Sequence, residues 1–320
     1  MSKEQHITSI GGQAVMEGVM MRGPHKTATA VRRPDGEIEC KVEEIGTKKH
    51  SAFARLPIIR GCVNFVESLV IGMRSLMWSA EFIDLDSDEE EEESKFDKWL
   101  EDKFGEKLKD YIIGFSVFIS IIFSVGLFMV LPWLVSLLIG AVTTSHFLIT
   151  AGEGAIRLLI FIGYLLLVSQ MKEIKRVFEY HGAEHKTIAC YEAGEELTVE
   201  NVRKYTRLHP RCGTSFLLFV MIISILIFFL IPPFEMITSV ILRKLMAIVV
   251  RLCLMPVVAG LSYEVIKLAG RSKNKCVSWL SKPGLWMQKI TTREPDDSQI
   301  EVAIASMKPC IPESKEDDKW

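Results

Sequence analysis

Alternation of apolar and polar residues gives way along the chain to helical period and then to long uncharged runs. Ala28 to Arg33 and Glu37 to Val42 alternate about Pro34-Asp35-Gly36. A Pro-Asp-Gly turn between such runs predicts a β-hairpin, because Pro presets its own φ and Gly accepts a positive one. From Cys62 the period becomes helical. Cys62, Phe65, Leu69, Met73, Leu76, Ala80 and Ile83 share one stripe, with Glu67, Arg74 and Glu81 opposite. This amphipathic helix either lies in a membrane interface or covers part of a helix bundle. Ile112 to Ile139 then carries no charge. At about 1.5 Å per residue it reaches roughly 42 Å against a bilayer core of about 30 Å, so it spans with tilt or a kink at Pro132. Thr214 to Ile231 is a second uncharged run, ended by Pro232-Pro233. Ala155 to Gln170 contains Arg157, and Leu245 to Ile266 contains Arg251 and Glu264, so these two spans need snorkelling or protein partners for their charges.

The pattern predicts a mainly α, polytopic membrane protein with about four transmembrane helices and a small N-terminal β-containing cytosolic module. That module covers residues 1–60 and includes a Gly-rich motif. The amphipathic helix follows at 61–84, then an acidic linker and short helix at 85–110, in which Asp88 to Glu93 are consecutive carboxylates. The four-span domain occupies 111–270 with a cytosolic loop at 171–213, and 271–320 form a cytosolic tail. The Ala155 span is expected to continue through Lys172, Val177 and His185 and to stop near Gly194. Thr198 suits the N-cap of a short helix through Tyr205. Two further helices are expected in the tail, from about Pro283 to Ile290 and from Ser298 to Met307. Glu153 and Arg157, four apart, are expected to neutralise each other as a structural pair, and Arg251 to face a protein or water-lined interior.

Composition agrees with a membrane protein: 49% of the 320 residues are hydrophobic and the mean hydropathy is +0.24. Lys and Arg set the orientation, since translocated loops are depleted in them. Gly140 to Gly154 has none, whereas eight lie between the Ala155 and Thr214 spans, and Lys267, Arg271, Lys273 and Lys275 follow the last span. Both termini and the central loop are therefore expected in the cytoplasm; Arg243 and Lys244 count against it. Met1 to Met20 lacks the apolar core of a cleavable signal. Seven cysteines without C-x-x-C spacing, mostly on the reducing side, argue against a disulfide framework. The eight basic residues of the central segment face seven glutamates, and the chain's net charge is −2, which argues against nucleic acid as a partner.

The chemistry concentrates in His181-Gly182-Ala183-Glu184-His185. Histidines four apart on a helix project from one face and reach one ion, with Glu184 beside them as a base; H-x-x-E-H is the inverted form of the zincin motif. A catalytic divalent transition metal such as zinc needs about three protein ligands and an open position. His209 or Cys212, in His209-Pro210-Arg211-Cys212-Gly213, is the candidate third ligand. Arg211 and Arg293 are candidates for stabilising developing negative charge. The competing reading pairs Glu184 with a lysine and leaves the histidines on a polar face. Gly11-Gly12-Gln13-Ala14-Val15-Met16-Glu17-Gly18 is no phosphate loop. Gln13 and Glu17 could orient a substrate or a metal-binding histidine; a Gly-rich entry to a strand is the simpler reading. Glu264 is an ionisable group within a span and so a further candidate, with an interfacial pair to Lys267 as its structural alternative.

Four segments together resemble the YqhQ-type family of bacterial membrane proteins, a family with a domain of unknown function whose members are often labelled predicted metal-dependent enzymes. They are Gly11 to Pro24, His181 to Lys186, His209 to Phe216 and Thr291-Thr292-Arg293-Glu294-Pro295. The resemblance implies a multi-pass protein of the bacterial inner membrane in which these motifs share a cytosolic site. Two functions follow as expectations. One is a metal-dependent hydrolase acting at the bilayer on a lipid or membrane protein. The other is a non-catalytic accessory or regulatory factor that binds membrane-protein secretion, insertion or quality-control machinery. A transporter is third, since no repeat is apparent.

Overall fold

The computed structural model describes residues 7–45, 54, 56–82, 108–231, 234, 236–271, 275–314 and 317–318, so the acidic run Asp88 to Glu93 lies outside the described residues. The chain divides into two units, Met1–Ile83 with Leu165–Ile227 and Val250–Trp320, and Asp84–Tyr164 with Phe228–Val249.

In the first unit, β1 (Gly11–Val15), β2 (Gly18–Arg22), β3 (Lys26–Arg32) and β4 (Ile38–Glu44) form an antiparallel sheet in sequence order. The expected hairpin is β3–β4, with Arg32 opposite Ile38 and Gly36 at φ 88° in the turn. Strand alternation gives the sheet two buried faces. Val19, Met21, Ala28 and Ala30 pack with Tyr180, Ala183, Ile300, Ala303 and Met307, from the helices α5 (Lys172–Glu192) and α10 (Asp297–Met307). Val15, Met20 and Val31 on the other face pack with Ile71, Leu76 and Trp78 of α1 (Ile59–Ala80). An Asp296–Gln299 capping box starts α10. Thr198 caps the short helix α6 (Val199–Arg203) by accepting from the Asn201 N–H, as its sequence position suggests.

Among the described residues, three helical stretches are long and apolar enough to cross a membrane: Gly114–Val142, His146–Val168 and Ile241–Leu268. The first is α2 (Leu108–Val125), a π-helical turn (Gly126–Val130) and α3 (Leu131–Val142); the others lie in α4 (His146–Val168) and α8 (Val240–Arg271). Thr214 to Ile231, expected as a further span, is a shorter apolar stretch than these three. That segment forms α7 (Gly213–Phe228), whose 16 residues reach only about 24 Å. The residue before a proline disfavours helical backbone, and α7 stops ahead of Pro232-Pro233. The span predicted from Ala155 is longer than expected, because the helix begins at His146.

In the second unit, Pro132 brings the π-helical turn rather than a simple kink. Proline has no N–H to offer the carbonyl four residues earlier. That carbonyl, of Phe128, accepts from Arg157 Nε at 2.8 Å, and Arg157 Nη2 pairs with Glu153 at 2.8 Å. The guanidinium also lies over the Phe228 ring. The Glu153–Arg157 pair is thus structural, and it supplies a backbone donor that lipid cannot.

Candidate metal centre

The helix expected to run on from Ala155 to near Gly194 is broken before α5. Met171 adopts extended backbone, φ −65° and ψ 139°, so α4 ends at Val168 and α5 starts afresh at Lys172 instead of continuing the span. Arg293 Nη2 donates to the Ser169 carbonyl at this break. α5 is polar by composition yet buried from Tyr180 to Ile188, because it lies between the sheet, α10 and the segment that follows α9 (Lys275–Thr291). Gly182 allows that closeness: a Cβ there would strike the Arg293 carbonyl. Gly194, at φ 70°, follows the helix end.

His181, His185 and Cys212 come together, their ligand atoms all within 4.8 Å of one another. Each imidazole is oriented by a backbone carbonyl. His181 Nδ1 is 2.9 Å from the Thr291 carbonyl and His185 Nδ1 is 2.6 Å from the Arg207 carbonyl. Carbonyls only accept, so both Nδ1 atoms carry the proton and both Nε2 lone pairs are left for the interior. His181 Nε2 lies 3.1 Å from Cys212 Sγ, and His185 Nε2 is buried without a hydrogen-bond partner. Burial, with His181 nearby, pushes the His185 imidazole toward its neutral form. Cys212 immediately precedes α7, and its Sγ is 3.1 Å from the Thr214 hydroxyl.

Glu184 sits beside this group under the Gly-rich strand. A Cβ on Gly12 would lie 2.9 Å from its Cδ, so only glycine leaves room for this carboxylate against β1. Burial raises its pKa to about 7, against the opposing pull of His181 and the Gly12 N–H, and its Oε2 is buried without a partner. Two unpartnered buried polar atoms in one cluster require an explanation, and a bound cation with its water provides one. Two nitrogens and one sulfur suit zinc or a similar transition metal and leave a coordination position open.

His209 lies beside the group but outside it. Its ring is 5.6 Å from that of His185, its Nε2 is 3.6 Å from Glu192, and Gln288 holds its backbone at both N–H and C=O. Arg211 pairs with Glu192 and donates to the Thr8 carbonyl at 2.6 Å. Burial raises the Glu192 carboxyl, but His209, Arg211 and the Thr8 N–H outweigh it and hold it below its usual range. Arg211 thus binds Glu192 and Thr8, and Arg293 binds Ser169. Gln13, one residue from Gly12, points to the opposite face, where its Oε1 fills the space over Gly72 of α1. Glu17, at the β1–β2 turn with φ 51°, pairs with Arg176 and accepts from the Tyr180 hydroxyl at 3.3 Å. Glu264 pairs with Arg60, at 2.7 Å to Nε.

Two residues that matter here carry no motif in the sequence. Gln288 fixes the loop before Cys212, donating also to Ser215 Oγ at 3.1 Å. Arg207 supplies the carbonyl for His185, and its guanidinium donates at 2.6 Å to the Thr292 carbonyl, next to the one that orients His181.

The fold and this cluster define a class: a mainly helical, membrane-associated protein with a small antiparallel sheet and a buried His-His-Cys group able to hold a metal. Within that class the chain belongs to the family described as "Protein of unknown function (DUF1385)", which matches residues 56–313. It is 36% identical over 309 residues to "Uncharacterized protein YqhQ" of Bacillus subtilis (strain 168), covering 96% of this chain and 93% of that protein. The resemblance to the YqhQ-type family is therefore borne out. No solved structure matches the chain.

Proposed function

We propose that the protein is a metal-dependent hydrolase of the bacterial inner membrane, acting at the cytoplasmic surface on a lipid or membrane-protein substrate. The carrying observation is that both histidines spend Nδ1 on carbonyls while their Nε2 atoms and Cys212 Sγ gather beside Glu184. His181, His185 and Cys212 would hold a divalent ion such as zinc. The ion would supply Lewis acidity toward a carbonyl or phosphoryl oxygen and toward water. Glu184, buried and with one oxygen unpartnered, is suited to take a proton from water and return it to a leaving group. Cys212 adjoins the start of apolar α7, and Arg293 binds the break that ends α4, which favours a substrate presented from the bilayer.

The test is Glu184→Gln, expressed in a strain whose own copy is deleted. It should keep the metal yet accumulate a lipid or membrane-protein fragment that wild type removes, read by lipid and peptide mass spectrometry. Identical profiles for wild type, Glu184→Gln and the deletion would contradict hydrolysis. They would turn attention to the second reading, an accessory factor for secretion, insertion or quality control.

A further inference from the structure

The sequence stripe Cys62, Phe65, Leu69, Met73, Leu76 leaves open whether lipid or protein covers α1, and the structure divides it: Leu76 packs on the sheet and Phe65 on α7, while Leu69 and Met73 are exposed. The buried residues of α1 are Gly61, Gly72, Ser75 and Ser79. Val66 and Leu69 are each 56% exposed and Met73 is 53% exposed, with Val70 and Met77 beside them. Small residues face inward because α1 approaches backbone closely on that side. Gly61 lies on Gly260 of α8, Gln13 lies over Gly72, and Thr29 Oγ1 donates to Ser75 Oγ at 3.1 Å.

We infer that the outer face of α1 is a lipid-binding surface, the helix lying along the bilayer interface with Val66, Leu69, Val70, Met73 and Met77 among the acyl chains. Continuity with the apolar helices argues for lipid as the occupant. The first turns of α1 lock onto α8 through Cys62 Sγ to the Pro256 carbonyl at 2.8 Å, Asn64 Nδ2 to Tyr263 Oη at 2.9 Å, and the Arg60–Glu264 pair. Phe65 contacts Phe216 of α7, with ring centroids 5.4 Å apart. These partners belong to helices whose own Leu217, Val257 and Leu261 are exposed, so one apolar surface extends from α7 and α8 onto α1. A second copy of the chain fits less well. Close helix pairing in membranes uses small residues, and α1 has turned those inward. Its polar residues suit the interface: Glu67 pairs with Arg22 at 3.3 Å, and Arg74 and Glu81 share that flank. The inference is independent of metal binding.

A photoreactive benzophenone amino acid at Leu69 or Met73 tests it, in the full chain reconstituted in phosphatidylethanolamine–phosphatidylglycerol vesicles. Phe118 on apolar α2 serves as the lipid-facing reference and exposed Glu43 of β4 as the aqueous one. Irradiation should give lipid adducts at Leu69 and Met73 close to the Phe118 yield and about tenfold above Glu43, as expected for side chains sunk among acyl chains. A cross-linked dimer, or yields at the Glu43 level, would overturn the inference.

Discussion

Arg207 touches both halves of the site without being a ligand. Its carbonyl accepts from His185 Nδ1, and its guanidinium donates to the Thr292 carbonyl beside the one that accepts from His181 Nδ1. Partners that orient ligating imidazoles are worth about 10–100-fold in metal affinity. Arg207→Ala should therefore weaken zinc binding by about that factor in chelator competition, with an unchanged thermal transition in excess zinc and partial recovery in Arg207→Lys. Unaltered affinity would show that the loop holds itself. His181, His185 and Glu184 were legible because a side-chain ligand pair leaves a spacing, four residues on one helix face. Arg207 and Gln288 were not, since they act through backbone groups and many residue types can do so. The choice between His209 and Cys212 was also open in the sequence. Only the fold turns His209 toward Glu192 and Cys212 toward His181.

Among the elements, α5 depends most on one contact made at a glycine. Gly182→Ala would drive a methyl group into the Arg293 carbonyl. Overpacking of this kind costs about 1–3 kcal/mol, read as a lower unfolding temperature in detergent, and should also shift the Thr291 carbonyl and weaken metal binding. A variant with wild-type stability would mean that the segment after α9 yields freely. The β3–β4 hairpin and the Thr198 cap could be read from sequence because both rest on local backbone preferences. The direction of α1 could not. Hydrophobic period identifies an apolar face but does not say whether protein or lipid covers it, and the inward residues are small because backbones approach there. The break at Met171 was hidden for a similar reason, as nothing in Ser169-Gln170-Met171 forbids a helix. Pro132 announced an irregularity, while the capping of Phe128 by Arg157 needed the tertiary structure.

For the molecule as a whole, the sequence carried the membrane character and the small sheet, while the apolar run at α7 forms a helix of 16 residues, shorter than the three long apolar stretches among the described residues. The sheet and α10 bury α5 although its residues are mostly polar, so the H-x-x-E-H segment is interior and its protonation and partners are fixed by packing. A buried cluster with two unpartnered polar atoms is costly unless something binds there. Metal content is therefore the direct test of the proposed metal centre, measured by elemental mass spectrometry on full-length protein purified in detergent without added chelator. Wild type should carry about one equivalent of a transition metal, zinc foremost, and the His181→Ala, His185→Ala double variant should carry little. Folded wild-type protein that holds no metal, even after incubation with zinc, would contradict it.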